Sequence, residues 1–301
     1  MILLASKTLP SGEFFFSTHS LYLRAIINHK SIKMKNHITI FLCLFFNTLL
    51  FSQAIVMESV TLNKGMENDY IKFEKMWSNV HEKIQKNGEK AGWYLFKVIP
   101  TKEGTQWPPN SSKPWCDYVI LNFYSDDSQL DGDWGMGNNQ KAIESFIKKA
   151  NYNKIKSSEV SRLMKMGGKL KKNVTSYTLK GIDATVDVGT FDIGDRATYL
   201  GIEQLNDDYE DYETKWFKEG HNRDILNGRR LAWYFNKIVN RSDNAYKPIS
   251  HVIFERFNPN PPETNNDNQE PTFVQQMMWK HGGESRKIHG GLILELVNFK
   301  Q

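Results

Sequence analysis

The sequence predicts an α+β protein: two tandem ferredoxin-like (β-α-β-β-α-β) repeats facing each other as an intrachain pseudo-dimeric α/β barrel. Three observations predict it. The stretch "HEKIQKNGEKAGWYLFK" at residues 81–97 returns as "HNRDILNGRRLAWYFNK" at residues 221–237, with His, Asn-Gly, Trp-Tyr and Lys at the same offsets. The elements around each copy come in the same order, so a whole domain is repeated rather than a motif. The strand that ends each copy is apolar on both faces, so each sheet must be covered twice.

The first repeat opens with "IVMESVTL", whose loose alternation reads as a strand. Tyr70, Phe73, Trp77, Val80 and Ile84 then recur at steps of three and four, the apolar stripe of an amphipathic helix. Asn87-Gly88 ends it, since glycine tolerates the left-handed backbone just past a helix. "AGWYLFKVIP" is the next strand, and a Pro/Ser-rich loop leads to "CDYVILNFY". An Asp/Gly-rich loop precedes helical stretches at 140–150 and 158–166, and "VTSYTLKGIDATVDVG" closes the unit. The order restarts near Arg196: "ATYLGIEQL", a helix that Asn206 can cap, the strands "RRLAWYFNKIV" and "ISHVIFERF", a short helix, and "GGLILELVNF". The repeats are thus expected at 55–192 and 193–301.

The two copies align 140 residues apart from His81 onward, but Tyr70, Phe73 and Trp77 match Tyr209, Tyr212 and Trp216 at 139. One residue is therefore inserted beside Gly220, which predicts a π-bulge or an early helix break there.

Residues 1–54 read as a leader. "MKNHITIFLCLFFNTLLFSQA" at 34–54 has a basic head, a short apolar run and small residues around Gln53. This is the layout of a secretory signal peptide, with Met34 as the natural start and cleavage near Ala54. The apolar run would reach about 21 Å as a helix, short of a hydrocarbon core of about 30 Å. The expectation is an exported protein, periplasmic or secreted, with no stable membrane anchor once the leader is removed. Its body is nearly neutral. Five of the 39 basic and one of the 34 acidic residues precede Ile55, leaving 34 against 33. That balance excludes the concentrated basic footprint of a nucleic-acid binder. Beyond the leader only Cys116 remains, beside Trp115 at a strand start, where a packed thiol outweighs a reactive one.

In "WYLFKV" Trp93 and Leu95 oppose Tyr94, Phe96 and Val98; in "WYFNKI" Trp233 and Phe235 oppose Tyr234 and Ile238. Helices cover one face, and the sheet of the other repeat covers the second. With the helix stripe "DYIKFEKMWSNVHEKIQKNG" and its copy "DYETKWFKEGHNRDILNG", the chain resembles the dimeric α/β-barrel superfamily. That superfamily includes the NIPSNAP-like, EthD-like and antibiotic-biosynthesis-monooxygenase-like groups, here as a fused tandem repeat. The resemblance implies a cavity used for cofactor-free oxygenation, haem chemistry, isomerisation or plain binding. No catalytic signature of those groups maps onto this chain, so no catalytic residue is assigned.

Two functions follow from different classes. One is an exported protein binding a small, mostly apolar ligand in the barrel; the other is an oxygenase-like or haem-dependent oxidoreductase using the same cavity. The candidate ligand face carries Tyr94, Tyr234 and Asn236, with Asn122, His251 and Glu255 supplied by the next strands in a facing the sequence leaves open. A buried amide or carboxylate needs a partner, so these residues mark a pocket. His81 and His221 share a repeat position and are candidate equivalent ligand contacts, as a haem ligand, acid/base group or metal ligand, although the simpler role of packing or capping at a helix end outweighs that reading. Asp127, Asp131 and Asp133 sit around Gly132 like a calcium loop, but Asn138 stands where the bidentate Glu belongs. His281 and His289 lack zinc spacing, and no metal site is assigned. Gly167-Gly168 and Gly282-Gly283 read as turns. Nine basic residues at 148–172 and ten acidic ones at 183–213 read as solvated faces, and the oligomeric state stays open.

Overall fold

The computed structural model describes residues 54–88, 90–100, 114–125, 139–262 and 270–301. The apolar leader run, the Pro/Ser-rich loop and the Asp/Gly-rich loop around Asp127, Asp131 and Asp133 lie outside them. The first repeat comprises β1 (Ala54–Leu62), α1 (Glu67–Lys86), β2 (Gly92–Ile99), β3 (Tyr118–Tyr124), α2 (Gln140–Ala150), α3 (Ser157–Leu170) and β4 (Lys171–Ala184). The second runs β5 (Arg196–Gln204), α4 (Tyr209–Asp211), a π-helical segment (Tyr212–Phe217), α5 (Lys218–Leu226), β6 (Arg230–Arg241), β7 (His251–Phe257), α6 (Phe273–Glu284) and β8 (Arg286–Lys300).

The stripe read from the sequence is the stripe that packs. Tyr70, Phe73, Val80 and Ile84 of α1 are buried, joined by Met76, against Trp93, Leu95, Tyr118 and Ile120 of the sheet. Gly88 and Gly228 end the paired helices at φ +76° and +70°, a backbone region that costs a side chain but not glycine. The inserted residue is absorbed one turn before Gly220, in the π-helical segment, and the helix continues. Two turn expectations are corrected. Gly167-Gly168 lies inside α3 and Gly282-Gly283 inside α6. Glycine is needed there for close approach: a Cβ on Gly282 would lie 2.6 Å from Phe217 Cζ, and one on Gly167 3.1 Å from Phe73 Cε2.

The eight strands close into one antiparallel barrel in the order β1-β3-β2-β8-β5-β7-β6-β4. Each repeat supplies a run in the order fourth, first, third, second. The seams join β2 to β8, from Trp93↔Lys300 to Ile99↔Ile293, and β4 to β6, from Tyr177↔Arg241 to Ala184↔Tyr234. Closure leaves no open edge among the described strands of the barrel. This is the dimeric α/β-barrel architecture with both halves in one polypeptide.

Strand alternation sorts the side chains into two layers. Phe96, Val98, Leu121, Leu179, Tyr199, Val252 and Leu294 fill the inside of the barrel. Trp93 and Leu95, with Trp233 and Phe235, face the helices, as their parity predicts. The outer layer is unequal. The helices of the first repeat share a large core with their sheet, whereas α5 buries no residue and the second outer core holds Ile202, Tyr209, Trp233, Phe235 and Ile253. Cys116 is packed at 1% exposure, and burial pushes its thiol pKa far up.

Candidate functional site

The repeat places two polar constellations under each first helix. In the first repeat the His81 ring lies on the Trp93 indole, centroids 5.0 Å apart and 22° between planes. Its Nδ1 is 3.2 Å from Nζ of Lys90, which also donates to Asn122 Oδ1. In the second, His221 stacks on Trp233 at 4.9 Å and 29°, and Arg230 holds Glu255 at 2.8 Å. Trp93 pairs with Asn122 across β2 and β3, and Trp233 with Glu255 across β6 and β7. The four positions are therefore equivalent, with Lys–Asn in one repeat and Arg–Glu in the other.

That exchange changes the electrostatics. Arg230 has a buried counter-charge, whereas Lys90 is 5% exposed with neutral contacts. Desolvation pulls its pKa down to about 7, although Glu58 and Glu74 partly oppose this. Desolvation also holds both imidazoles neutral: His81 lies well below its usual value, and His221 falls to about 3, with Arg230 adding to the effect.

About two to three turns earlier along the first helix of each repeat, Tyr70 and Glu74 meet Lys171 of β4, and this set repeats as Tyr209, Glu213 and Arg286 of β8. The Glu74 and Lys171 charges are 3.4 Å apart, and Arg286 pairs with Glu213 while stacking on Phe217 at 4.4 Å. Burial raises both carboxyl pKa values against the pull of their cations. His251 sits in the same outer layer, 3.2 Å from Glu210 and stacked on Phe235 at 5.1 Å. Desolvation lowers its pKa to about 4, with Glu210 opposing.

The predicted residues thus divide. Tyr94, Tyr234 and Asn236 do face the inside of the barrel; Asn236 is 3% exposed and donates to Val252 O at 3.4 Å. Asn122, His251 and Glu255 are not brought to that face. Their antiparallel partners Trp93, Lys237 and Trp233 point outward, and paired residues share a face. His81 and His221 lie in the outer layer as well.

The inward face has its chemistry at the barrel end where Tyr94 and Tyr234 lie. Half-buried Tyr94 stacks between Phe299 at 5.9 Å and Phe96 at 6.3 Å, with Phe123 edge-on at 5.4 Å. The connection from β4 to β5 reaches into this ring: Phe191 lies 5.8 Å from Phe96 and 6.4 Å from Tyr94. Arg256, 4% exposed, places its guanidinium 4.3 Å from the Phe191 ring and its Nη1 2.6 Å from Asp187 Oδ1. Tyr234 donates its hydroxyl to Asp187 Oδ2, and Arg256 Nη2 donates to Thr190 O. Arg256 Nε is buried with no partner. Burial raises the Asp187 pKa, with Arg256 opposing.

At the other end of the barrel, Tyr246 meets His289 Nδ1 at 2.9 Å and His289 Nε2 meets Glu203 at 2.5 Å. His281 is far more exposed and lies 3.2 Å from Glu284. Among the described residues no three His, Cys, Asp or Glu side chains converge as a metal set. A haem held by histidine requires an imidazole whose free nitrogen faces an open slot. His81 is 8% exposed between Trp93 and Trp77, with Nδ1 against Lys90, and His221 lies flat on Trp233. As placed, these rings do not fit that role.

Sequence reasoning missed Arg256 on β7 and Asp187 and Phe191 on the connection from β4 to β5, which share no motif. Lys90 and Arg230 were legible, being basic at the same offset of the quoted repeat.

No protein-family model matches the chain, and no curated protein sequence matches it. Solved structures are similar over most of its length. An anthrone oxidase-like protein aligns at 8% identity and TM-score 0.44, covering 83% of this chain and 93% of its own. A candidate monooxygenase from Fusobacterium nucleatum aligns at 10% identity and TM-score 0.46, covering 83% and 94%. A heme-binding protein from Thermus thermophilus aligns at 8% and 0.37, covering 82% and 92%.

Proposed function

We propose that the protein is an exported binding protein that takes a small, mostly apolar ligand at the end of the barrel lined by Tyr94 and Tyr234. One observation carries the reading: a ring of mostly half-buried aromatic side chains surrounds a buried guanidinium at the mouth of a mostly apolar barrel. Apolar walls with a few placed polar groups are the usual composition of a small-molecule site. Aromatic faces supply area at little conformational cost, and the guanidinium fixes orientation. Oxygenase-like chemistry in the same cavity is the second reading that the resemblance raises. Binding is favoured because the hydroxyl, carboxylate and guanidinium at the mouth are engaged with one another.

The test is mass spectrometry of small molecules retained by the wild-type protein purified under native conditions, repeated on Tyr234→Phe with Asn236→Leu. An apolar compound held by the wild type and lost by the folded variant supports the site. Retention by the variant, or loss only when the Trp93 face is altered, would move the site to the outer layer.

A further inference from the structure

We propose that the barrel mouth selects a carboxylate carried on a short flexible link from an aromatic ring, and that Asp187 and Phe191 occupy that ligand's place in the free protein. The inference rests on the reading of the mouth as a ligand site and names the ligand class.

Three features point to it. First, Arg256 is served by a carboxylate and a ring from one short segment. Asp187 Oδ1 accepts from Nη1 at 2.6 Å while the Phe191 ring lies 4.3 Å from the guanidinium. Tyr234 donates to the other carboxylate oxygen. Three residues of backbone separate two groups that a single arylalkanoate would present.

Second, the geometry separates ligand shapes. The ring covers the guanidinium face and the carboxylate meets its edge. A benzoate cannot do both, because its ring and carboxylate share a plane. A ring on two or three saturated carbons can fold back and do so.

Third, the internal occupant satisfies the arginine incompletely. Arg256 Nε is buried without a partner, although a guanidinium fork suits two parallel bonds to one carboxylate. A free carboxylate is not tethered by the Asp187 backbone and can take Nε and an Nη together. A buried orphan donor is costly, so a ligand that reaches it gains over the segment it displaces. The walls suit the ring: Phe191 already rests against Phe96 at 5.8 Å and Tyr94 at 6.4 Å.

The test uses 3-phenylpropionate, its amide 3-phenylpropionamide, and benzoate, titrated by calorimetry into wild type and into Asp187→Ala with Phe191→Ala. Emptying the internal place should tighten 3-phenylpropionate by about tenfold or more, the scale of one charge-assisted bond. The amide and benzoate should bind more weakly than 3-phenylpropionate. Adding Arg256→Met to the double variant should abolish the preference for acid over amide; with Asp187 gone, no buried carboxylate is left unpaired. Equal binding of acid and amide, insensitive to Arg256→Met, would overturn the carboxylate selection while leaving the mouth a ligand site. Preference for benzoate would overturn the flexible link. No binding of any probe to either protein would overturn both the inference and the site beneath it. If the double variant unfolds, its thermal midpoint is the readout: 3-phenylpropionate should restore it and the amide should not, and failure of that rescue counts against the proposal.

Discussion

The imidazole of His81 lies flat on the indole of Trp93 at 5.0 Å, and 140 residues later His221 lies on Trp233 at 4.9 Å. The second pair keeps this contact despite an extra residue in its helix. The π-helical segment Tyr212–Phe217 absorbs that residue upstream of His221, so the ring still arrives over its indole. Deleting Lys215, which is exposed within that segment, should convert it to ordinary helix with the spacing that joins Tyr70 to His81 in the first repeat, keeping Tyr209 and Glu213 aligned with His221. We expect a thermal midpoint close to that of the wild type by calorimetry; a large drop would mean that the segment is not what absorbs the extra residue.

His81→Ala should cost more stability than His221→Ala. Both lose an aromatic pair of about 0.5–1.5 kcal/mol beyond burial. His81 is the more buried and also contacts Lys90, which its removal leaves with one fewer acceptor. Urea unfolding of the two variants gives the order directly, and the reverse order would count against Lys90 as the difference.

Lys90 and Arg230 should respond oppositely to the same substitution. Lys90→Met removes a buried charge without a counter-charge and should leave stability unchanged or raise it at pH 7. Arg230→Met strands buried Glu255 and should cost about 3–5 kcal/mol. The lysine also has a pH signature. Between its folded value of about 7 and its unfolded value of 10.5, the unfolded chain holds a proton that the folded chain has released. Wild-type stability should therefore gain on that of Lys90→Met as pH rises through this window, by at most about 1.4 kcal/mol per unit. Parallel curves for the two proteins would refute an unneutralised Lys90.

Acid should weaken the fold through the histidines. His81, His221 and His251 are held neutral in the folded state, while the unfolded chain takes up their protons below the ordinary value of 6.5. Stability falls as pH drops from there toward about 4. His251→Asn should flatten that fall in a urea series at pH 7, 6 and 5, and a slope equal to wild type would show another group to be responsible.

Two adjacent glycines in α6 should behave as opposites. Gly282→Ala places a Cβ 2.6 Å from Phe217 and 3.2 Å from Tyr212, an overpacking worth about 1–3 kcal/mol. Gly283→Ala meets nothing within 4 Å and should stabilise by up to about 1 kcal/mol. Thermal melts of the pair test whether α6 is clamped to the π-helical segment.

The proposed export has a direct check. Amino-terminal sequencing of the protein recovered outside the cytoplasm is expected to begin close to Ala54, and a mature chain retaining Ile38 to Phe51 would sink it.

The sequence by itself determined the element order, the duplicated unit and which side of β2 and β6 faces helices. These follow from local periods: a stripe at three and four, an alternation at two, and a fixed offset between copies. It also determined that a residue is inserted in the second helix and left a π-bulge or an early break as the two ways to take it up; the structure decided for the π-helical segment. Tertiary structure alone decided the facing of Asn122, His251 and Glu255. Each strand's parity is fixed only when its register with β2 or β6 is fixed, and one residue of slip would turn every side chain over. It alone decided that Gly167 and Gly282 sit inside helices, because the reason is the closeness of Phe73 and Phe217 rather than a turn. The cluster of Arg256, Asp187, Tyr234 and Phe191 lies on β7, β6 and the connection between β4 and β5, joined by no spacing in the chain. Only closure of the barrel brings those segments to one end, and with them the groups proposed to read a ligand.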